Sequence, residues 1–203
     1  GVTYLPNTDK PFSGYAKRAY ENEQVEVLAL FKKGYVIRLK QWQENGNPKW
    51  AVGFMEGKVG IEGKVGIEGW PRRIVNLLRE LAFTHGPATL WHKNGQKKQE
   101  LNFKDGNPDG PATYWYENGQ KSSEGNWKDG KRDGLWISWY ENGQKSSEGN
   151  HKDGKYMSAF VWKPNGEKCP VTNVKDGNGV VVRYNEDGTE RFRHTYKDGE
   201  PVY

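Results

Sequence analysis

A repeat of 24 residues constrains this chain more than any other feature. The segments GPATLWHKNGQKKQELNFKDG, GPATYWYENGQKSSEGNWKDG and GLWISWYENGQKSSEGNHKDG begin at Gly86, Gly110 and Gly134. A period of this size marks a supersecondary unit that buries its surface only against its neighbours. Aligned on a turn glycine, the series extends over Gly46, Gly95, Gly119, Gly143, Gly166 and Gly188, with Glu23 in the same place in a degenerate first unit. Eleven residues after each anchor a second glycine follows: Gly34, Gly57, Gly106, Gly130, Gly154, Gly177 and Gly199. Seven units are expected.

Each unit reads as a β-hairpin. Asn-Gly between β-formers signals a two-residue type I′ turn, which needs positive φ at both central residues. Asn94-Gly95, Asn118-Gly119, Asn142-Gly143 and Asn165-Gly166 supply it, and Asp187-Gly188 is equivalent. Lys-Asp-Gly forms the second turn, its glycine free to turn left-handed. This register places a structural aromatic row on one face: Trp42, Trp91, Trp115, Trp139, Trp162 and Tyr184. Phe31, Phe54, Phe103, Trp127, His151, Val174 and Tyr196 fall on the other. There Phe103 lies opposite Gly86, Trp127 opposite Gly110 and His151 opposite Gly134, and each ring is expected to cover its glycine.

Composition fits a thin sheet. Leu, Ile, Val and Phe make up about 18 % of the residues, a fraction that in a highly charged chain signals disorder. Net charge is only +5 and aromatics reach 13 %, so the aromatic rows supply the packing that aliphatics do not. The single cysteine, Cys169, excludes an intramolecular disulfide and any multi-cysteine metal site. No apolar run approaches the roughly 20 residues of a membrane-spanning helix. The chain starts at Gly1 with no initiator Met, which reads as a processed or trimmed N-terminus and leaves localisation unknown.

The stretch W-Y-E-N-G-Q-K at Trp115–Lys121 and Trp139–Lys145, the closing Trp127-Lys128-Asp129-Gly130 and the opening Gly110 and Gly134 resemble MORN repeats. The variant is the bacterial form found in proteins similar to the YwqK-type antitoxin family. The resemblance is strong over residues 86–203 and weak over 14–57. It implies an elongated single-layer sheet that serves as a scaffold or binding module.

Between Gly57 and Gly86 the pattern breaks. Lys58-Val-Gly-Ile-Glu-Gly63 is duplicated as Lys64-Val-Gly-Ile-Glu-Gly69, and Trp70–Phe83 reads as a helix. Pro71 suits a first helical position, and Ile74, Leu77, Leu78 and Leu81 share one face that either packs on the sheet or docks another chain. The domain reading is 1–57 for degenerate hairpins, 58–85 for the insertion and 86–203 for five repeats.

Catalytic patterns are missing from the sequence. His85, His92, His151 and His194 form no metal-ligand spacing, and His151 and His194 occupy repeat positions held elsewhere by packing residues. Cys169, before Pro170, has no local motif for a nucleophile. Glu117, Glu124, Glu141 and Glu148 recur with the repeat and read as solvated cross-strand partners of Lys and Ser. No phosphate-loop, dinucleotide or nucleophile-elbow signature occurs. Neither a cofactor nor a metal is expected, and the chain reads as a non-enzyme. Lysines alternate with acids, and the densest basic clusters, Arg72-Arg73 and Lys131-Arg132 near Lys128, fall short of a run of five. Nucleic acid is therefore a poor partner. A protein is the leading one, with anionic lipid at the lysine edges or carbohydrate on the aromatic rows as alternatives.

Positions that vary between units are free to carry specificity. Ala88, Leu90 and His92, then Ala112, Tyr114 and Tyr116, then Trp136, Ser138 and Tyr140 share the face opposite the Trp row. Tyr114, Tyr116, Trp136 and Tyr140 are the expected partner-binding patch, since aromatics anchor interfaces. The sequence thus predicts an all-β, elongated single-layer antiparallel sheet of tandem hairpins with one inserted α-helix. Its expected function is a non-catalytic interaction scaffold, in the manner of an antitoxin or immunity-like binder.

Overall fold

The computed structural model describes residues 14–32, 35–53 and 86–202. The chain forms two compact units, Gly1–Asn107 and Pro108–Tyr203. In the first, β1 (Gly14–Ala19), β2 (Val25–Lys32), β3 (Tyr35–Trp42), β4 (Pro48–Gly53), β5 (Gly86–Trp91) and β6 (Lys97–Lys104) pair antiparallel in chain order. In the second, β7 (Asn107–Trp115), β8 (Lys121–Lys128), β9 (Lys131–Trp139), β10 (Lys145–Lys152) and β11 (Lys155–Val161) do the same. A separate three-stranded sheet follows, β12 (Gly179–Tyr184), β13 (Glu190–Lys197) and β14 (Glu200–Val202). The fold is all-β, as the repeat predicts.

β4 pairs directly with β5, Val52 facing Ala88 and Trp50 facing Leu90, so the insertion leaves the strand order unbroken. The 58–69 duplication and the 70–83 helix lie outside the described residues, as do Gly34, Phe54 and Gly57.

The two turn types are the reverse of the sequence expectation. At every Asn-Gly position only the glycine has positive φ, from +83° to +88° at Gly95, Gly119, Gly143, Gly166 and Gly188. The loop is three residues long: His92 N–H bonds Gln96 C=O, Gly95 N–H bonds His92 C=O, and the register shifts by one after Leu90. This is a type I turn closed by a left-handed glycine and a bulge. The two-residue turn with positive φ at both residues is Asp-Gly instead, at Asp105-Gly106, Asp129-Gly130, Asp153-Gly154, Asp176-Gly177 and Asp198-Gly199. The first unit closes the same three-residue loop with Glu23 at φ +67°. In the sixth unit the Gly166 turn forms, but no strand follows it; Trp162 and Lys168 make one isolated bridge.

The expected pairs Phe103–Gly86, Trp127–Gly110 and His151–Gly134 all occur, because the bulge compensates for the extra loop residue. Their purpose differs. Gly86, Gly110 and Gly134 have positive φ, and a Cβ on Gly134 would meet nothing, so this strand start uses glycine for its backbone and not to receive a ring. Among the described residues, the ring-covered glycines are Gly125, where a Cβ would overlap the Trp136 indole, and Gly149, where a Cβ would lie 2.8 Å from the Tyr156 ring.

The core is a stripe on one face of each sheet. In the first unit Ala29, Leu39, Ala88 and Leu101 are buried on it, linked in register through Val52. In the second the same positions are Ala112, Gly125, Trp136, Gly149 and Ala159. A second cluster, Ala159, Val161, Cys169, Val174, Val181 and Val182, joins β11 to the three-stranded sheet.

Candidate interaction surface

The repeated W-Y-E-N-G-Q-K stretch works by reaching into the following unit. Tyr116 Oη donates to Trp139 C=O at 2.7 Å, Tyr140 Oη to Trp162 C=O at 2.8 Å and Tyr20 Oη to Trp42 C=O at 3.0 Å. The asparagine serves two loops. Asn118 Oδ1 accepts from Gln120 N–H within its own turn, while Nδ2 donates to Glu141 C=O in the next; Asn142 likewise reaches Pro164 C=O. Asparagine is thus chosen for two-sided hydrogen bonding rather than for positive φ. Lys121 and Lys145 lie over the rings of Trp139 and Trp162, at 6.0 and 5.2 Å. Both also pair with Glu124 and Glu148 on their own strands, since the bulge brings positions three apart onto one face. These carboxylates are same-strand partners, not the cross-strand ones expected.

Three segments match one family model. Residues 84–105, 108–129 and 132–153 match the MORN repeat variant. No curated protein matches the chain. MORN repeats are binding or scaffold modules, typically non-catalytic, that associate with proteins or membranes.

The MORN repeats place the expected patch residues as follows. Trp136 and Tyr140 are buried, 3 % and 5 % exposed, and Tyr114 and Tyr116 are half-buried. Trp136 Nε1 donates to Asn126 C=O at 3.0 Å, and Trp127 Nε1 to Tyr114 Oη at 3.2 Å. Burial pushes the Tyr140 hydroxyl up to about 12 and raises that of Tyr116. Two of the four side chains therefore lie within the stripe rather than on an open surface, and both Tyr116 and Tyr140 hold one unit to the next. Within the Trp row, Trp115, Trp139, Trp162 and Tyr184 are half-buried, and Leu135 and Phe160, on that same face, are exposed.

Sequence reasoning missed the charged part of this surface. The two-residue Asp129-Gly130 turn pairs Arg132 with Trp127 on the buried-stripe face. Its guanidinium lies 4.3 Å from the Trp136 ring centroid and 5.9 Å from that of Trp127, a cation–π position. Arg183, on β12, donates to Tyr156 Oη at 2.7 Å. Tyr156 packs on His151 at 4.3 Å between ring centroids. His151 is 3 % exposed, with Nδ1 buried and without a hydrogen-bond partner. Burial, and then the charges of Arg132 and Arg183, lower its pKa to about 4. Arg132 itself is lowered by desolvation, with Arg183 adding to it. The Lys131-Arg132 pair is visible in the sequence, and the register that sets Arg132 over the rings follows from the Asp-Gly turn. Arg183 has no such signal, because the irregular sixth unit brings it in.

The remaining candidates have structural surroundings. Cys169 is buried; burial raises its pKa, but hydrogen bonds from Thr172 and Tyr184 and from the Thr172 and Val171 N–H groups outweigh this and lower it. His194 stacks on Phe192, and His85 lies outside the described residues. Among the described residues no group of three or more His, Cys, Asp or Glu could hold a metal ion.

Proposed function

We propose that the chain is a non-catalytic protein-interaction scaffold whose partner meets the aromatic face of the second unit around Tyr114, Trp127 and Arg132. The observation that carries this reading is the placement of an accessible guanidinium over a buried indole, flanked by half-buried aromatics. Arginine and large aromatics dominate interface energetics when they gather on a rigid support. Trp136 and Tyr140, expected as anchors, supply the support. Capture of a toxin-like partner, in the manner of an antitoxin or immunity-like binder, is the finer form of the proposal and stands on the resemblance alone.

The lysine edges favour protein over anionic lipid. Lys97, Lys121, Lys145 and Lys163 are paired with glutamates, which reduces the positive charge that these four offer a headgroup layer. Ammonium groups over Trp139, Trp162 and Tyr184 also occupy rings on which a sugar would stack.

The test is affinity capture from a source lysate with the full chain, Tyr114→Ser, and Leu135→Ser with Phe160→Ser. One stoichiometric partner, weakened by Tyr114→Ser and retained by the double variant on the opposite face, is the expected result. Capture of no specific protein, or flotation with phosphatidylserine vesicles as the dominant association, would defeat the reading.

A further inference from the structure

Ion pairs join Arg18 to Glu26, Lys97 to Glu100, Lys121 to Glu124, Lys145 to Glu148, Lys155 to Glu200, Lys163 to Glu167 and Arg193 to Glu190. Arg132 and Arg183, like Lys128 and Lys131, have no ion-pair partner among the described residues. They converge on the same aromatic pair: Arg183 bonds the Tyr156 hydroxyl, Arg132 lies over Trp136, and both act on the buried His151 that Tyr156 covers. Glu186 Oε1 accepts from Glu141 N–H, and Glu190 is held by Arg193.

Two guanidiniums held near each other repel, and the charge of Arg183 lowers the pKa of Arg132 after desolvation has done so. Flat rings remove water from Arg132, which strengthens its attraction for an incoming anion. A guanidinium presents paired N–H groups in the geometry of a carboxylate, and rings beneath it hold that fork in place. His151 stays neutral beside them, so it neither competes for an anion nor adds to the repulsion.

We propose that Arg132 and Arg183 form a carboxylate-binding site for an acidic segment of a protein partner, with Tyr114 and Trp127 as its aromatic flank. The proposal rests on the scaffold reading and names the chemistry of its partner. A peptide carboxylate fits two fixed guanidiniums over an aromatic floor, whereas a lipid surface would draw on the outer lysines.

The probe is a fluorescein-labelled hexaglutamate peptide titrated with the full chain by fluorescence anisotropy at 50 mM and 150 mM salt. Arg132→Gln with Arg183→Gln should weaken binding at least tenfold. The charge-matched control, Lys128→Gln with Lys131→Gln, should change it less than threefold. Arg132→Lys with Arg183→Lys, which keeps charge and loses the fork, should fall between them, and circular dichroism should show the strand content unchanged in all three. An equal loss in the lysine control, or unchanged binding in the arginine variant, overturns the site. Binding of inorganic phosphate or phosphatidylserine vesicles through the two arginines, with no peptide binding, overturns the acidic-segment assignment. If lysate capture yields a partner that the arginine variant retains, this inference falls while the scaffold reading stands. If hexaglutamate binds in an arginine-dependent way and no partner is captured, the site stands and the scaffold reading falls.

Discussion

His151 stands where two earlier units have Phe103 and Trp127, and it is kept neutral by burial and by two arginines. Its pKa of about 4 lies below the 6.5 of an exposed imidazole. As pH falls, the unfolded chain takes up this proton first, so the stability present above pH 6.5 is lost progressively down to about pH 4. The loss is on the order of 3 kcal/mol for a shift of this size. Urea unfolding at pH 7 and pH 4.5 should show that loss in the parent chain and a smaller one in His151→Phe; equal losses would show that other groups carry the acid sensitivity. Gly125 makes a second residue-scale prediction. A methyl there would overlap the Trp136 ring, so Gly125→Ala should cost about 1–3 kcal/mol, the usual penalty of overpacking. The same change at Gly188, where a Cβ meets nothing, should cost about 1 kcal/mol through its positive φ alone. The register could be read from the sequence, and with it the neighbours of His151. The Gly125–Trp136 contact could have been read too: where Ala88 and Ala112 give way to Trp136, the neighbouring strands carry Gly125 and Gly149 in place of Leu101.

At the scale of the element, the hairpins were legible and their turns were not. The Asn-Gly signal rightly marks a reversal, but it does not distinguish a loop with two left-handed residues from one with a single left-handed glycine. What decides is the neighbouring unit. Asn142 accepts from its own turn and donates to Pro164 C=O, and an ionised carboxylate in its place can only accept. Asn142→Asp should therefore cost about 1 kcal/mol, the usual value of one such bond. Asn165→Asp should cost less, since Asn165 serves its own turn through Oδ1. Chemical denaturation of the two variants at pH 7 makes the comparison, and equal costs would deny the inter-loop bond any weight. The paired lysines belong to this scale as well. They are surface ion pairs, each worth at most about 1 kcal/mol.

In the second unit the stripe of the hairpins ends in the valine-rich cluster around Val181 and Val182, both essentially fully buried. Arrays of this kind need a terminal element that closes the last apolar surface. Removal of β12–β14 by ending the chain at Asn178 should expose Ala159, Val161 and Val174. Light scattering should then show association, and a monodisperse truncated chain would mean that β11 needs no cover. The sequence foretold seven units and could not show this closure, because residues 163–178 keep both turn signals, Asn165-Gly166 and Asp176-Gly177, while the strand between them is lost. The same irregular stretch kept Arg183 out of any sequence-based site. Trp136 lies over a glycine supplied by the unit before its own. The segments 110–133 and 134–157 look like copies, yet one provides the recess and the other the ring. Exchanging them would keep every residue and every period while destroying that fit, so these two repeats have an obligatory order and cannot be shuffled as identical modules.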